Sequence, residues 1–220
     1  MAKSHRVSVV LPTRNRGNVI ARSITSVLNQ SYRGFELIVV DDESDDDTQE
    51  IVRGVGDDRI KYIRLQRRKG AGGARNVGVR AAECDYIAFQ DSDDEWLPRK
   101  LETQMDALHG LPATVGVVYT DMYRVASESG KAEHWQSPHL TPEDNVTCRK
   151  ILWHCLVKNC GIGIQSALIK RECFDVVGLF DERLPMLEDL EIFIRLESHF
   201  QFYHIRETRV CTITWTMTSF

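Results

Sequence analysis

The sequence predicts an α/β fold, in which a mostly parallel central sheet carries helices on both faces in a Rossmann-like arrangement. Short runs of β-branched residues alternate with stretches whose apolar residues recur at helical spacing, a pattern typical of βαβ units. Two predicted strands end in clusters of aspartates, at 41–42 and 91–94. Because right-handed crossovers bring the carboxyl ends of parallel strands to one edge, both clusters are expected at the edge where such sheets bind ligands.

Strands and helices alternate regularly through the first half of the chain. Strands are predicted at 6–11 (RVSVVL), 35–40 (FELIVV), 60–65 (IKYIRL) and 86–90 (YIAFQ). Helices are predicted around 20–28, over 48–53 with a stop at Gly54, and over 74–82. The run Gly70-Ala71-Gly72-Gly73 is expected to interrupt the chain before the last of these helices.

The second half has a less regular pattern. Helices are predicted at 98–108, from Thr141-Pro142 to about 157, and at 187–197. Strands are predicted at 115–125 and 164–170, with a turn at 129–130 between them. The β-branched and aromatic tail from 201 to 215 predicts one or two further strands.

Composition excludes several classes of function. The net charge of −4 is spread over interleaved acids and bases, which argues against a nucleic-acid surface. No apolar run approaches the roughly 20 residues of a membrane helix, and the N-terminus lacks a signal-peptide core, so the cytoplasm is the expected compartment. The cysteines and histidines lack Cys-x-x-Cys and His-Glu-x-x-His spacing, which gives little support to a disulfide framework or a zinc hydrolase.

The segment Asp91-Ser92-Asp93 is the sharpest chemical signal in the sequence. One or two carboxylates together with phosphate oxygens can hold a hard divalent cation, which neutralises a departing diphosphate. The alternative is an acidic surface loop. The position directly after an apolar strand favours the functional interpretation.

Three further candidates are weaker when each is taken alone. Asp42 can accept a hydrogen bond from a base or ribose, or it can cap the helix that follows. The glycine-rich segment before Arg75 can present backbone amides to phosphate, or it can be a flexible turn. Glu188 and Asp189 can supply a base for an acceptor hydroxyl, or they can complement a helix dipole.

The order of these segments closely resembles family-2 inverting glycosyltransferases of the GT-A fold. The resemblance is carried by VSVVLPTRN, SITSVLNQSY, FELIVVDDES, GGARNVG, YIAFQDSDDEW and GLFDERLPMLEDLEIFIRL, and it runs from about Val7 to Leu196. It implies a GT-A nucleotide-diphospho-sugar transferase fold in a single domain over 1–220. Residues up to about 125 would form the nucleotide-sugar-binding half, and 126–220 the acceptor-binding half.

The resemblance also implies the roles of the residues that bind the nucleotide. Thr13 and Arg14 would line the nucleotide site, Asp42 would bind the base, and Arg75 would lie near the nucleotide. UDP-sugars are the expected donors because this aspartate suits the imide group of uracil. Thymine offers the same group, so dTDP-sugars stay open.

The residues of the chemical step follow from the same resemblance. Asp91 would contact the ribose or a metal-bound water, and Asp93 would bind Mn²⁺ or Mg²⁺ at the diphosphate. The Glu188-Asp189 pair occupies the catalytic position, with Asp189 as the general base and Glu188 more important for local structure. The implied mechanism is a single displacement at the anomeric carbon with inversion.

Departures from the family pattern refine the expected reaction. Glu191 stands where the family often has aspartate. This residue is expected to have a structural role, so the difference leaves Asp189 as the expected base. The Gln-x-x-Arg-Trp motif of processive synthases is absent, which favours a non-processive enzyme that adds one sugar. The resemblance implies a saccharide or lipid-linked acceptor in surface polysaccharide or glycolipid synthesis, and hence peripheral association with the inner face of the membrane. The sequence does not indicate an oligomeric state.

Three other functions compete with a glycosyltransferase. A nucleotidyltransferase would carry a glycine-rich loop after its first strand, whereas residues 11–15 contain no glycine. A receiver domain would carry its paired acids after the first strand rather than the second. A catalytically silent scaffold that binds sugar nucleotides would have the same motifs, and only an activity measurement distinguishes it.

Overall fold

A computed structural model of the chain describes residues 7–126, 132–135, 146–147 and 162–214. Its helices are α1 (Gly17–Leu28), α2 (Thr48–Gly54), α3 (Gly70–Ala81), α4 (Lys100–Leu108), α5 (Arg171–Val177) and α6 (Glu188–Glu197). Its strands are β1 (Val7–Thr13), β2 (Phe35–Asp41), β3 (Ile60–Arg64), β4 (Tyr86–Phe89), β5 (Glu95–Trp96), β6 (Val115–Ala126), β7 (Ala132–Trp135), β8 (Val146–Thr147), β9 (Ala167–Lys170) and β10 (Gln201–Thr214). The turn predicted at 129–130 and most of the helix predicted from Thr141 to about 157 lie outside the described residues. The described part of that helix prediction is wrong, because the β-branched pair Val146–Thr147 forms strand β8 against β10.

The described strands form one sheet in the order β3-β2-β1-β4-β9-β6-β10-β5, with β7 beside β6 and β8 beside β10. Strands β3, β2, β1 and β4 are parallel to one another, as the βαβ pattern predicts. Beyond β4 the sheet is mixed, because β9 pairs antiparallel with both β4 and β6. The predicted α/β class is confirmed, and its parallel part is the half that carries the aspartate clusters.

Alternate residues of the central strands face two separate hydrophobic clusters. On one face, Val9 and Leu37 pack with apolar residues of α1, α2 and α4. On the other face, Val10 and Ile38 pack with apolar residues of α3, α5 and α6. Because successive strand residues point to opposite sides, a strand with both faces covered is mainly apolar, and β1 is buried along its whole length. Helices therefore cover both faces of the sheet.

The prediction that the glycine run interrupts the chain is wrong, because α3 begins at Gly70. The small residues allow close packing instead. A Cβ placed on Gly78 would lie 2.2 Å from a methyl carbon of Val10, so glycine lets α3 lie directly on β1. Gly70 itself has φ +76°, a conformation that side chains disfavour. The glycines thus bring the N-terminus of α3 down onto the edge of the sheet.

Several elements of the second half also differ from expectation. Residues 164–166 form a 3₁₀ turn rather than strand, since the Ser166 hydroxyl and backbone N–H both bind the Gly163 carbonyl. Helix α5 and strands β7 and β8 were not predicted, and neither was the short strand β5 before α4. The tail forms one long strand, β10, in agreement with the one or two strands predicted, and its register against β6 is irregular. Among the described helices, none is long and apolar enough to cross a membrane.

Candidate functional site

A pocket of about 250 Å³ opens at the carboxyl edge of the parallel strands. The segments that follow β1, β2 and β4 supply its walls, together with the first turns of α3. Its lining includes the predicted donor-site residues Thr13, Arg14, Asp42, Arg75, Asp91 and Asp93. The expectation that the two aspartate clusters meet at one edge is therefore met.

Asp42 joins the end of β2 to the start of α3. Its two carboxylate oxygens accept hydrogen bonds from the backbone N–H groups of Lys69 and Gly70, at 2.7 and 2.8 Å. The side chain is buried, yet it borders the pocket. The helix that Asp42 caps is thus α3, twenty-eight residues along the chain, and not the helix that follows it in sequence.

The Asp91–Asp94 segment, called the acid loop below, carries the two predicted metal ligands. One carboxylate oxygen of Asp91 accepts a hydrogen bond from Arg75 at 2.9 Å. Asp93 lies 3.8 Å from the Arg16 guanidinium, and both side chains are partly exposed. Burial, followed by the nearby charge of Asp91, raises the pKa of the Asp93 carboxyl. The loop therefore concentrates negative charge that a cation would stabilise.

Arg75 is a buried cation that connects the acid loop to α6. Its two terminal nitrogens donate to Asp91 at 2.9 Å and to Glu188 at 2.5 Å. Burial works to lower the pKa of the Arg75 guanidinium, but the carboxylates of Asp91 and Glu188 outweigh it, and the pKa is raised. Arg75 also lines the pocket, and its predicted place near the nucleotide stays a prediction. Its pairing with Glu188 was not anticipated.

Asp189 lies on the α6 side of this ion cluster. It is partly buried, and one carboxylate oxygen accepts a hydrogen bond from the Leu190 N–H at 2.8 Å. Burial raises the pKa of the Asp189 carboxyl, Arg75 opposes that shift, and the charges of Glu188 and Asp91 reinforce it. A helix N-terminus would lower the pKa, but here desolvation is the larger effect. Asp189 and Glu188 thus adjoin the pocket through Arg75 without lining it.

The structure also shows pocket residues that the sequence analysis did not select. Arg16 and Arg68 line the pocket and are exposed, so they offer positive charge at the mouth of the site. The Arg14-Asn15-Arg16 spacing after β1 could have pointed to Arg16. Arg68 gave no such signal, because it lies in a basic stretch that is typical of an exposed surface. Thr13 adds a buried hydroxyl that has no hydrogen-bond partner among the described residues.

Glu191 has the structural role that the sequence analysis expected. Its two carboxylate oxygens accept hydrogen bonds from Arg195, both at 2.6 Å, one turn further along α6. The same guanidinium donates to the carbonyls of Val177 and Leu179. This ion pair therefore fastens α6 to the segment after α5, away from the pocket.

Comparison with known proteins identifies the family. The sequence model of Glycosyl transferase family 2 matches residues 8–171. An Escherichia coli UDP-Glc:alpha-D-GlcNAc-diphosphoundecaprenol beta-1,3-glucosyltransferase, WfgD, is 36% identical over 75% of this chain and 60% of its own length. A putative teichuronic acid biosynthesis glycosyltransferase of Bacillus subtilis, TuaG, is 41% identical over 76% of this chain and 62% of its own.

Solved structures share the fold. S. aureus TarS 1-349 in complex with UDP-GlcNAc superposes with a TM-score of 0.77 at 21% identity, over 97% of this chain and 60% of that one. The chain thus spans about three fifths of the length of WfgD and of this structure. The family match covers the strands, the acid loop and the start of α3, which build the pocket. The chain is a member of glycosyl transferase family 2, with the GT-A fold.

Proposed function

We propose that the chain transfers one sugar from a nucleotide-diphosphate donor, a UDP-sugar, to an acceptor hydroxyl with inversion at the anomeric carbon. The observation that carries this proposal is the meeting of Asp42, Asp91 and Asp93 in one pocket with four arginines, Arg14, Arg16, Arg68 and Arg75. Carboxylates suit a base, a ribose and a cation, whereas guanidinium groups suit a diphosphate.

A divalent cation fits the donor set of the acid loop. Mg²⁺ and Mn²⁺ prefer oxygen ligands, and they are commonly held by one or two carboxylates plus substrate phosphates. Asp91 and Asp93 supply such carboxylates, while the described residues contain no cluster of three or more ligating side chains. Asp91 and Asp93 would thus hold a cation that arrives with the donor diphosphate. That cation would neutralise the charge of the departing group.

The chain's own residues carry the remaining steps. Asp42 and Thr13 hold the nucleoside, and the arginines hold the diphosphate while the bond to the sugar breaks. Asp189 accepts the proton of the acceptor hydroxyl as the new C–O bond forms, and the nucleoside diphosphate leaves with the electron pair of the old bond. A raised pKa makes Asp189 a better base than an ordinary aspartate.

The acceptor belongs to cell-surface polysaccharide or glycolipid synthesis. The E. coli relative is named for a lipid-linked diphosphate acceptor, and the B. subtilis relative for teichuronic acid biosynthesis. We extend that acceptor class, a saccharide on a lipid or on a growing surface polymer, to this chain. A lipid-linked acceptor would bring the enzyme to the inner face of the membrane as a peripheral protein.

The role of the acid loop is tested by Asp93→Ala. We expect the variant to raise the Kd of UDP in Mn²⁺ by about 10-fold or more, because the cation loses one of two protein ligands. In EDTA the Kd of UDP should hardly change. Titration calorimetry in both conditions measures the two constants.

Asp58→Ala is the matched control for this test. Asp58 is an exposed aspartate outside the pocket, so its loss removes the same charge without removing a ligand. An equal loss of affinity for Asp93→Ala in Mn²⁺ and in EDTA would show that Asp93 does not act through a metal. Pyrophosphate release from a nucleoside triphosphate would instead indicate a nucleotidyltransferase.

Asp42 is expected to distinguish UDP from CDP. Each of its oxygens already accepts one backbone N–H and retains a lone pair for the N3 imide of uracil. Cytosine has no N3–H, so the pairing is lost at a cost of about 1–3 kcal/mol. Competition of CDP and UDP against a labelled UDP-sugar measures the difference. If CDP competes as well as UDP, Asp42 serves only to cap α3.

A further inference from the structure

Side chains behind the acid loop hold its backbone at several points. The Ser23 hydroxyl donates to the Asp91 carbonyl at 3.0 Å, and Arg22 donates to the Asp93 carbonyl at 2.9 Å. Both residues belong to α1. The Gln90 amide nitrogen donates to the Asp94 carbonyl at 2.6 Å. Three of the four carbonyls in the loop are therefore bound by side chains that do not line the pocket.

Gln90 is at the centre of this arrangement. It follows β4 and is fully buried. Its backbone N–H donates to the Val10 carbonyl and so continues the hydrogen bonding between β4 and β1. Its amide nitrogen also donates to the Ser23 hydroxyl at 3.1 Å, so both amide hydrogens are used. A bridge then runs from Gln90 through Ser23 to Asp91, and a direct bond runs from Gln90 to Asp94.

The amide oxygen of Gln90 is buried and has no hydrogen-bond partner among the described residues. A buried, unpaired carbonyl is destabilising, and a fully buried position at a strand end is usually apolar. An apolar residue here would avoid that penalty but would lose both donated bonds. We therefore infer that glutamine is favoured here because its two donated hydrogen bonds hold the acid loop in place.

The loop needs such support because its carboxylates repel each other. Asp91 and Asp93 are separated by a single residue in the loop, and both line the same pocket. Two like charges on a short loop favour conformations that separate them or turn them outward. Fixing the backbone from behind keeps both carboxylates at the pocket before any cation arrives.

We propose that Gln90 and Ser23 are positioning residues that preset the Asp91 and Asp93 carboxylates for the cation carried by the donor diphosphate. This inference rests on the proposed function for the cation, while the preset backbone is a property of the ligand-free protein. Neither side chain lines the pocket, and each acts through the acid loop.

The test compares Gln90→Met with Gln30→Met in the full chain. Gln30 is an equally buried glutamine at the end of α1, and it bonds to Leu97 and Leu101 rather than to the acid loop. Two measurements are made on each variant. Hydrogen exchange reports the peptides that cover the acid loop, and calorimetry gives the Kd of UDP in Mn²⁺ and in EDTA.

We expect Gln90→Met to exchange faster at the acid loop and to lose about 10- to 100-fold of the affinity gain that Mn²⁺ confers on UDP. Its Kd in EDTA should stay within about 2-fold of wild type, since the nucleoside contacts are intact. Gln30→Met should keep the wild-type values in both measurements. Ser23→Ala removes the hydroxyl that binds the Asp91 carbonyl, so it should also speed exchange at the acid loop and weaken the Mn²⁺ effect on UDP affinity. This variant replaces Gln90→Met in the test if Gln90→Met does not fold.

Two outcomes would overturn the proposal. Unchanged exchange at the acid loop in Gln90→Met and Ser23→Ala would show that the bonds do not hold the backbone. An equal loss of the Mn²⁺ effect in Gln30→Met would show a general loss of structure. If wild type itself gains no UDP affinity from Mn²⁺, the proposed metal role fails, and the exchange measurement alone decides whether Gln90 holds the loop.

Discussion

Asp189→Asn is expected to reduce sugar transfer by about 10²- to 10⁴-fold, the range typical for loss of a general base. Asparagine keeps the shape of the side chain and can still accept the Leu190 N–H bond, but it cannot take a proton. Donor and metal affinity should survive, because Asp189 does not line the pocket. Single-turnover transfer and UDP titration separate the two effects.

The raised pKa of Asp189 sets the direction of the pH dependence. Transfer requires the carboxylate, so the rate should rise with pH as Asp189 loses its proton. Because burial raises its pKa, this rise should lie above the value near 4 of an ordinary aspartate. A pH profile of single-turnover rates in wild type gives the pH at which the transfer rate rises. A profile that is flat from pH 5 to 8 is compatible only with a small shift or with another base.

The same shift predicts that Asp189→Asn is not destabilised at neutral pH. The unfolded chain ionises near pH 4, whereas the folded chain holds the proton to higher pH. Stability therefore falls as pH rises from the unfolded pKa to the folded pKa, and at neutral pH the full penalty is present. Asparagine removes the cost of burying an ionised carboxylate, so the melting temperature at pH 7 should not fall. A thermal melt measures it and shows whether the variant loses activity without losing structure.

Glu188→Gln is the control that distinguishes the two acids of the pair. Glu188 is committed to Arg75, so the variant should lose stability more than it loses transfer per folded molecule. Near wild-type transfer by Asp189→Asn together with a folded but inactive Glu188→Gln would exchange their roles. If both variants remain active, the base lies elsewhere.

The parallel half of the fold could be predicted because its signals are local. Apolar β-branched runs mark β1, β2 and β4, and the parallel sheet rule then collects their carboxyl ends at one edge. Asp42 directly follows β2, and Asp91 and Asp93 lie in the loop after β4, so their meeting needed no knowledge of side-chain packing. The meeting of these three aspartates therefore followed from the strand pattern, whereas their roles, and the choice of Thr13, Arg14 and Arg75, came from the family resemblance.

The missed features depend on contacts between distant parts of the chain. Arg75 bonds to Glu188, and Asp42 bonds to Gly70, and neither pairing leaves a trace in local sequence. The glycine run has the composition of a turn, but it forms the first turn of α3, where Asp42 accepts hydrogen bonds from the backbone N–H groups of Lys69 and Gly70. Such choices are decided by tertiary contact rather than by intrinsic propensity.

Gln90 shows the same limit within a correctly predicted strand. The strand pattern placed it at the end of a buried run, but nothing in the sequence linked it to Ser23, sixty-seven residues earlier. Its role follows from the two hydrogen bonds and the unpaired oxygen. A polar residue at the buried end of a strand is nevertheless a usable signal for a supported loop.

Arg75→Met is expected to cost about 3–5 kcal/mol of unfolding free energy, the range for breaking a buried ion pair from one side. The Arg75 side chain is 6% exposed and its partner Glu188 is 11% exposed, so the carboxylate left behind cannot be well hydrated. Asp91 is more open, at 28%, and should contribute less to the loss. Chemical denaturation measures the change.

A double variant separates the loss of the ion pair from the loss of packing. Arg75→Met combined with Glu188→Gln removes the stranded charge, so it should recover part of the stability lost by Arg75→Met alone. Arg75→Lys keeps the charge but lacks the planar fork that reaches Asp91 and Glu188 together, so one of the two acids should lose its partner. Additive losses in the double variant would show that the two side chains act independently. A recovery would show that Arg75 neutralises Glu188 and thereby joins α6, which carries the proposed base, to the acid loop.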